Sequence, residues 1–290
     1  MAKQNRYAEA IIDLEKSLEV AGDEDEDLKA AVLDNLAVFL ELSGHIDRAL
    51  QHYRESLAIY RRTGNFVGLV RILNNLAGLY MARGNYELAL RSFTEIRVAS
   101  EHLGLHEVLA RALLNVGIIE FMRGHLDQDA ERLARAVDSI QEARNIFMSL
   151  KDLEGLLDCL YRLSDIALVL GDLNEAYVIG EQALTLANQI SIPAFEAVAL
   201  RVMGEARLGQ GQVNEAAVLL EEALALQERI GDIFDETLIL IALARLAWVR
   251  GERGLAIDRI EKGLALAHEH HFPYQIALLE KSKREFGLYD

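Results

Sequence analysis

The segment Leu73–Ala89 reads LNNLAGLYMARGNYELA, and Leu33–Ala49, 40 positions earlier, reads LDNLAVFLELSGHIDRA. Both hold leucine at the first and fourth places and asparagine at the third. Both hold alanine at the fifth, glycine at the twelfth and alanine at the seventeenth. Two leucines three apart share one face of a helix, so the spacing predicts a buried stripe. The glycine marks the place where a left-handed backbone ends that helix. The closing alanine then falls on a second helix.

Working outward, the glycine recurs at Gly44, Gly84, Gly124, Gly171, Gly211 and Gly251, at spacings of 40, 40, 47, 40 and 40. Eleven residues before it stand Leu33, Leu73, Leu113, Leu160, Leu200 and Leu240. Seven before it stand Ala37, Ala77, Gly117, Ser164, Gly204 and Ala244, all small enough to let a partner helix approach. Five after it stand Ala49, Ala89, Asp129, Ala176, Ala216 and Ala256. A second stop follows at Gly64, Gly104 and Gly231, with Lys151, Ser191 and His271 at the matching places elsewhere. Each unit therefore reads helix, tight turn, helix, turn.

This register resembles the tetratricopeptide repeat family. The 40-residue unit is longer than the common 34 of that family. It is similar to the subclass found in kinesin light chains, spindle-orientation adaptors, Rap-type regulators and the repeat arrays of bacterial signalling ATPases and transcription activators. The resemblance implies an all-α fold, a right-handed α-α superhelix of about 14 helices. Residues 1–290 would form one solenoid: an N-terminal half repeat at 6–26, repeats at 27–65, 66–105, 106–152, 153–192, 193–232 and 233–272, and a C-terminal capping helix at 273–290. The half repeat reads as a degenerate cap or, in preference, as a trimmed array or one that has lost an upstream helix. The acidic run Asp23–Asp27 reads as a solvated turn. The longer third unit holds seven extra residues between His125 and Arg135, and two added turns keep the same face inward. The expectation there is a second helix lengthened by two turns and protruding.

Composition agrees and excludes other classes. Two prolines in 290 residues compare with about fourteen at the usual share of ~5%. Proline breaks helix interiors, so its scarcity fits an all-helical chain. With 30 Lys+Arg against 46 Asp+Glu the net charge is −16. That charge repels a phosphate backbone and anionic lipid, so direct contact with nucleic acid or membrane is not expected. No apolar run approaches ~18 residues. The single cysteine, Cys159, excludes an intrachain disulfide framework and reads as core packing in a reducing cytoplasm.

No catalytic constellation or cofactor motif stands out. The cluster His268, His270 and His271 reads as a solvated helix end rather than a metal site. Asn35, Asn75 and Asn115 stand nine residues before successive glycines. Asparagine is a mediocre helix former, and its amide carries a donor and an acceptor that match a peptide backbone. In the resembled family this face of the first helix lines the concave inner surface. The same face is expected to hold Asn74, Arg71, Arg111, Phe121, Tyr161, Arg162, Arg201, Arg245 and Trp248, the last equally suited to packing. The lining charges Arg71, Arg111, Arg162, Arg201 and Arg245 balance Asp34, Glu41, Asp158, Asp165 and Glu205. Arginine forks onto carboxylates, so Arg71, Arg111 and Arg162 are expected to fix acidic groups of a ligand.

The sequence thus points to a non-enzymatic scaffold that needs no cofactor and takes an extended peptide or disordered protein segment in its groove. Two alternatives come from other classes: the sensor arm of a bacterial multi-domain regulator, and a homo-oligomeric scaffold, such as a homodimer, built through the lengthened helix.

Overall fold

The computed structural model describes residues 2–20 and 25–288, with side chains from 6–19 and 25–288. The helices are α1 (Ala2–Val20), α2 (Glu26–Leu42), α3 (Ile46–Thr63), α4 (Phe66–Ala82), α5 (Tyr86–Leu103), α6 (His106–Asp127), α7 (Ala130–Leu150), α8 (Leu153–Leu170), α9 (Leu173–Ile190), α10 (Pro193–Gly209), α11 (Val213–Ile230), α12 (Ile233–Val249), α13 (Arg253–Glu269) and α14 (Pro273–Glu285). Among the described residues there is no strand, and no helix is long and apolar enough to cross a membrane. The fold is all-α, a solenoid-type array of helical repeats. It divides into two compact units: Met1–Met81 with Glu87–Ile96, and Ala82–Tyr86 with Arg97–Asp290.

The repeated positions do what their residue types dictate. The leucine column is buried throughout, from Leu33 to Leu240, each side chain contributing about 1.5–3 kcal/mol of apolar burial. The alanine column, Ala49 through Ala256, is wholly buried. The small column lies on the backbone of the second helix. A Cβ on Gly204 would stand 2.7 Å from Leu220 Cγ and 3.4 Å from the carbonyl oxygen of Ala216; one on Gly117 would stand 2.5 Å from Ile140 Cγ1. Five of the six column glycines adopt left-handed backbone, with φ between 71° and 83°. The second-stop residues Lys151, Ser191 and His271 adopt it too, at φ 59°, 58° and 56°, despite carrying side chains.

Gly124 is the exception, and it corrects the expectation for the long repeat. It lies inside α6, where a Cβ would stand 3.0 Å from Leu133, so it serves close packing against α7. The left-handed stop moves to Gln128, φ 56°. Asp129 then caps α7, accepting from the backbone N–H groups of Glu131 and Arg132 at 3.0 and 3.1 Å. That is why an aspartate replaces the column alanine: the position has left the helix interior and become its N-cap. The added residues are shared. α6 has 22 residues where α4 has 17, and α7 has 21 where α5 has 18. Glu120 ties the extended pair together, accepting from Arg132 at 2.9 Å and Arg135 at 3.3 Å.

The acidic run is also more than a turn. Asp23 and Glu24 lie outside the described residues. Asp25 caps α2, accepting from the Leu28 N–H at 3.0 Å. Glu26 accepts from Arg62 at 2.9 Å, and Asp27 accepts from Thr63 and Asn65 at 2.7 and 3.0 Å. At the other end α14 buries Tyr274, Leu278 and Leu279.

Candidate binding faces on the first helices

In the first unit the face is built on α2 and α4. Asp34 of α2 is only 1% exposed, and a buried carboxylate needs donors. Two of the expected site residues supply them. Arg71 Nε donates to Asp34, and Asn75 Nδ2 donates to its other oxygen at 3.0 Å. Arg71 also donates to the Tyr60 hydroxyl at 2.9 Å. Glu41 is engaged as well, accepting from Tyr53 at 2.7 Å, and burial together with that bond raises the pKa of the phenol. Arg71 and Asn75 thus stitch one repeat to the next. Asn35 and Asn74 are exposed, and neither amide bonds to the described residues.

In the second unit the face comes from α6, α8, α10, α12 and α14. Arg201 of α10 is 4% exposed and bridges two carboxylates, donating to Asp165 at 2.6 Å and to Glu205 at 2.5 Å. Arg245 pairs with Glu205 at 3.6 Å. Arg111, at the exposed edge, pairs with Asp152 at 3.4 Å and Glu107 at 3.6 Å. Tyr161 is buried and donates to Asp235 of α12 at 3.2 Å, 74 positions away. Burial raises the pKa of Asp235 and of Asp158, partly offset in each by Arg162. Asn115 is half-buried, with its amide unbonded to the described residues.

Arg162 differs from its neighbours. Its guanidinium lies 4.1 Å from the centre of the Tyr161 ring, and Arg201 lies 5.9 Å from the same ring. Among the described residues Arg162 makes no hydrogen bond or ion pair, and its buried Nε has no partner. Burial opposes its charge, but the field of Tyr161, Asp158, Asp165 and Asp235 outweighs that and holds it protonated.

Phe121 and Trp248 are engaged in ring contacts within the second unit. Phe121 meets Tyr274 edge-on at 6.3 Å and stacks with His125 at 5.8 Å. Trp248 stacks on Phe286 at 4.4 Å with Arg253 over its ring at 3.4 Å. Among the outlying candidates, Cys159 is buried, and burial pushes its thiol up to about 12. His270 stacks on Phe272 at 5.8 Å. The sequence reading missed Asp235, His125, Tyr274 and Tyr60. None stands in a repeat column chosen for the inner face, and Tyr274 sits in the cap, outside the repeat period. A search for polar residues near the start of each first helix would have found Asp235.

Two tetratricopeptide repeat models match the chain, one over residues 1–62 and one over residues 72–101. None of the curated proteins compared with the chain matches its sequence. Among solved structures, apo RapI matches with a TM-score of 0.71 and 19% identity, covering 88% of each chain. NprR in complex with its cognate peptide NprX matches at 0.72 and 17%, covering 100% of this chain and 85% of that one. A Rap protein complexed with competence and sporulation factor matches at 0.65 and 13%, covering 99% and 87%. Residues 1–62 and 72–101 thus match tetratricopeptide repeats, and in fold the chain is similar to RapI, NprR and a Rap protein.

Proposed function

We propose that this protein is a non-enzymatic interaction scaffold whose first-helix faces hold an extended polypeptide. The observation that carries the reading is the state of the asparagine column. Asn75 spends an amide donor inside the fold, whereas Asn35 and Asn115 sit mid-helix with their amides uncommitted. An uncommitted amide offers the donor and acceptor that a peptide backbone needs. NprR and a Rap protein, both similar in fold, were solved with a peptide or a factor bound, which supports the same class of partner here.

Selection from a random displayed-peptide library tests this. Binders should be recovered by the intact protein, and those held by the first unit's face should be weakened about tenfold by Asn35→Ala, those held by the second unit's face about tenfold by Asn115→Ala, the equivalent of roughly 1.4 kcal/mol in either case. Unchanged helicity would accompany the loss. Recovery of no binder, or binders indifferent to both substitutions, overturns the reading.

A further inference from the structure

Equivalent positions of a repeat array meet equivalent surroundings unless the array curls on itself. The inner-face position held by Asn74 on α4 is exposed, and a Cβ on Gly78, one turn on, would meet nothing within 4 Å. On α6, α8, α10 and α12 the place of Asn74 is taken by Leu114, Tyr161, Arg201 and Ile241, and all four are buried. Asp165, the counterpart of Gly78 on α8, is buried too. Helices that do not follow one another touch across this face. Tyr161 of α8 donates to Asp235 of α12 at 3.2 Å, and His125 of α6 bonds the Tyr274 hydroxyl of α14 at 2.8 Å. The second unit thus fills its inner face with its own side chains and leaves these positions no room for another chain.

That filling is an expensive way to build a permanent core. It gathers Asp158, Arg162, Asp165, Arg201 and Asp235 around the Tyr161 ring. The Nε of Arg162, the Nε of Arg201 and the Nε2 of Gln275 are buried with no hydrogen-bond partner among the described residues. Apolar side chains of similar volume hold a core at least as well as buried ions do. Charged groups in such a place suit a face that is wet in a second state. The repeat does not demand the curl either, since each helix already packs on its neighbours in sequence. The two tyrosine bonds are added to that packing, across the array.

We propose that these two bonds are an autoinhibitory latch: they hold the second unit shut over its own inner face, and a polypeptide reaches that face only after α14 has parted from α6 and α12 from α8. This rests on the scaffold reading and adds a step that gates one of its two faces. The first unit's face, with Asn35 and Asn74 exposed, needs no such step. Opening gives up two hydroxyl bonds and returns buried ions to water, so a ligand that binds only the open state shifts the population towards it.

Spin labels at Glu107→Cys of α6 and Glu280→Cys of α14, both exposed positions, read the separation by pulsed electron resonance in the full chain. Cys159 is buried, with its thiol pushed up to about 12, and stays unlabelled. The free protein should give one short separation. Displayed-library peptides whose binding depends on Asn115 should lengthen it. The double variant Tyr161→Phe with Tyr274→Phe keeps both rings and removes both bonds. It should lengthen the separation without peptide and bind Asn115-dependent peptides about tenfold more tightly, the effect of removing two ordinary hydrogen bonds from the closed state alone. Peptides that depend on Asn35 should bind the double variant and the parent equally. Asn115-dependent peptides that bind with the separation unchanged overturn the latch. So does a double variant that binds them no more tightly, or one that gains as much for Asn35-dependent peptides. If no peptide depends on Asn115, the scaffold reading fails for this unit. The separation in the double variant then decides the latch by itself: longer upholds it, unchanged overturns it.

Discussion

His125 of α6 and Tyr274 of α14 meet through a 2.8 Å hydrogen bond, although 149 positions separate them. Phe121, one turn before His125, packs against the same tyrosine. In the five other repeats the column glycine ends the first helix, so the next residue lies outside it. Here the helix runs on through Gly124, and His125 is carried on an added turn. The long repeat therefore closes the second unit, clasping its first complete helix pair to its last helix.

This clasp predicts a pH dependence. Burial first, and then Lys281 and Arg245, lower the pKa of His125 from 6.5 to about 4. The folded state then binds fewer protons than the unfolded state between those values. Stability from this group is fully present above 6.5 and is lost as pH falls towards 4, by at most about 3 kcal/mol. Urea unfolding at the two ends of that window should show a smaller acid loss in His125→Gln than in the wild type. An equal loss in both would remove His125 as the cause.

Close helix approach predicts opposite outcomes at two mid-helix glycines. Gly117→Ala would push a Cβ to 2.5 Å from Ile140 and 3.1 Å from the Ala136 carbonyl, and should destabilise by about 1–3 kcal/mol. Gly78→Ala meets nothing within 4 Å and should stabilise by about 0.5–1 kcal/mol through helix propensity. Calorimetric Tm values of the two variants should move in opposite directions from the parent.

Left-handed backbone at residues with side chains predicts a gain from glycine. Lys151→Gly and Ser191→Gly relieve the Cβ penalty at φ 59° and 58°. Each should raise stability by about 0.5–1 kcal/mol after the entropy that glycine adds to the unfolded chain. The same exchange at Lys262, inside α13, should lower stability by a similar amount. Thermal unfolding of the three variants checks both signs.

The Asp34–Arg71 tie predicts an asymmetry. The aspartate side chain is 2% exposed and the arginine 49%. Arg71→Met strands a buried carboxylate with Asn75 as its remaining side-chain donor, a loss of about 2 kcal/mol. Asp34→Asn keeps a polar group in place and frees a guanidinium that already reaches water, a loss of about 1 kcal/mol. Chemical denaturation should rank the two in that order; the reverse ranking would mean the buried carboxylate is satisfied without Arg71.

The sequence by itself determined the helices, their turns and their nearest-neighbour packing. Leu33, Ala37, Gly44 and Ala49 state one repeat, and the same four roles return down the chain, because helix period, close approach and left-handed stops are local demands. It also determined which face of each first helix carries polar groups. Tertiary structure decided how those groups are used. The sequence reading put Arg71, Asn75, Arg162 and Arg201 on one face, yet Arg71 and Asn75 serve Asp34, Arg201 joins two carboxylates and Arg162 keeps its fork free. The pairings of Asp235 with Tyr161 and of Tyr274 with His125 could not be read from the repeat. The partners lie 74 and 149 positions apart, and such contacts depend on the small rotation added at each helix pair of the second unit. A 40-residue period fixes each step; only the accumulated steps decide which distant residues meet.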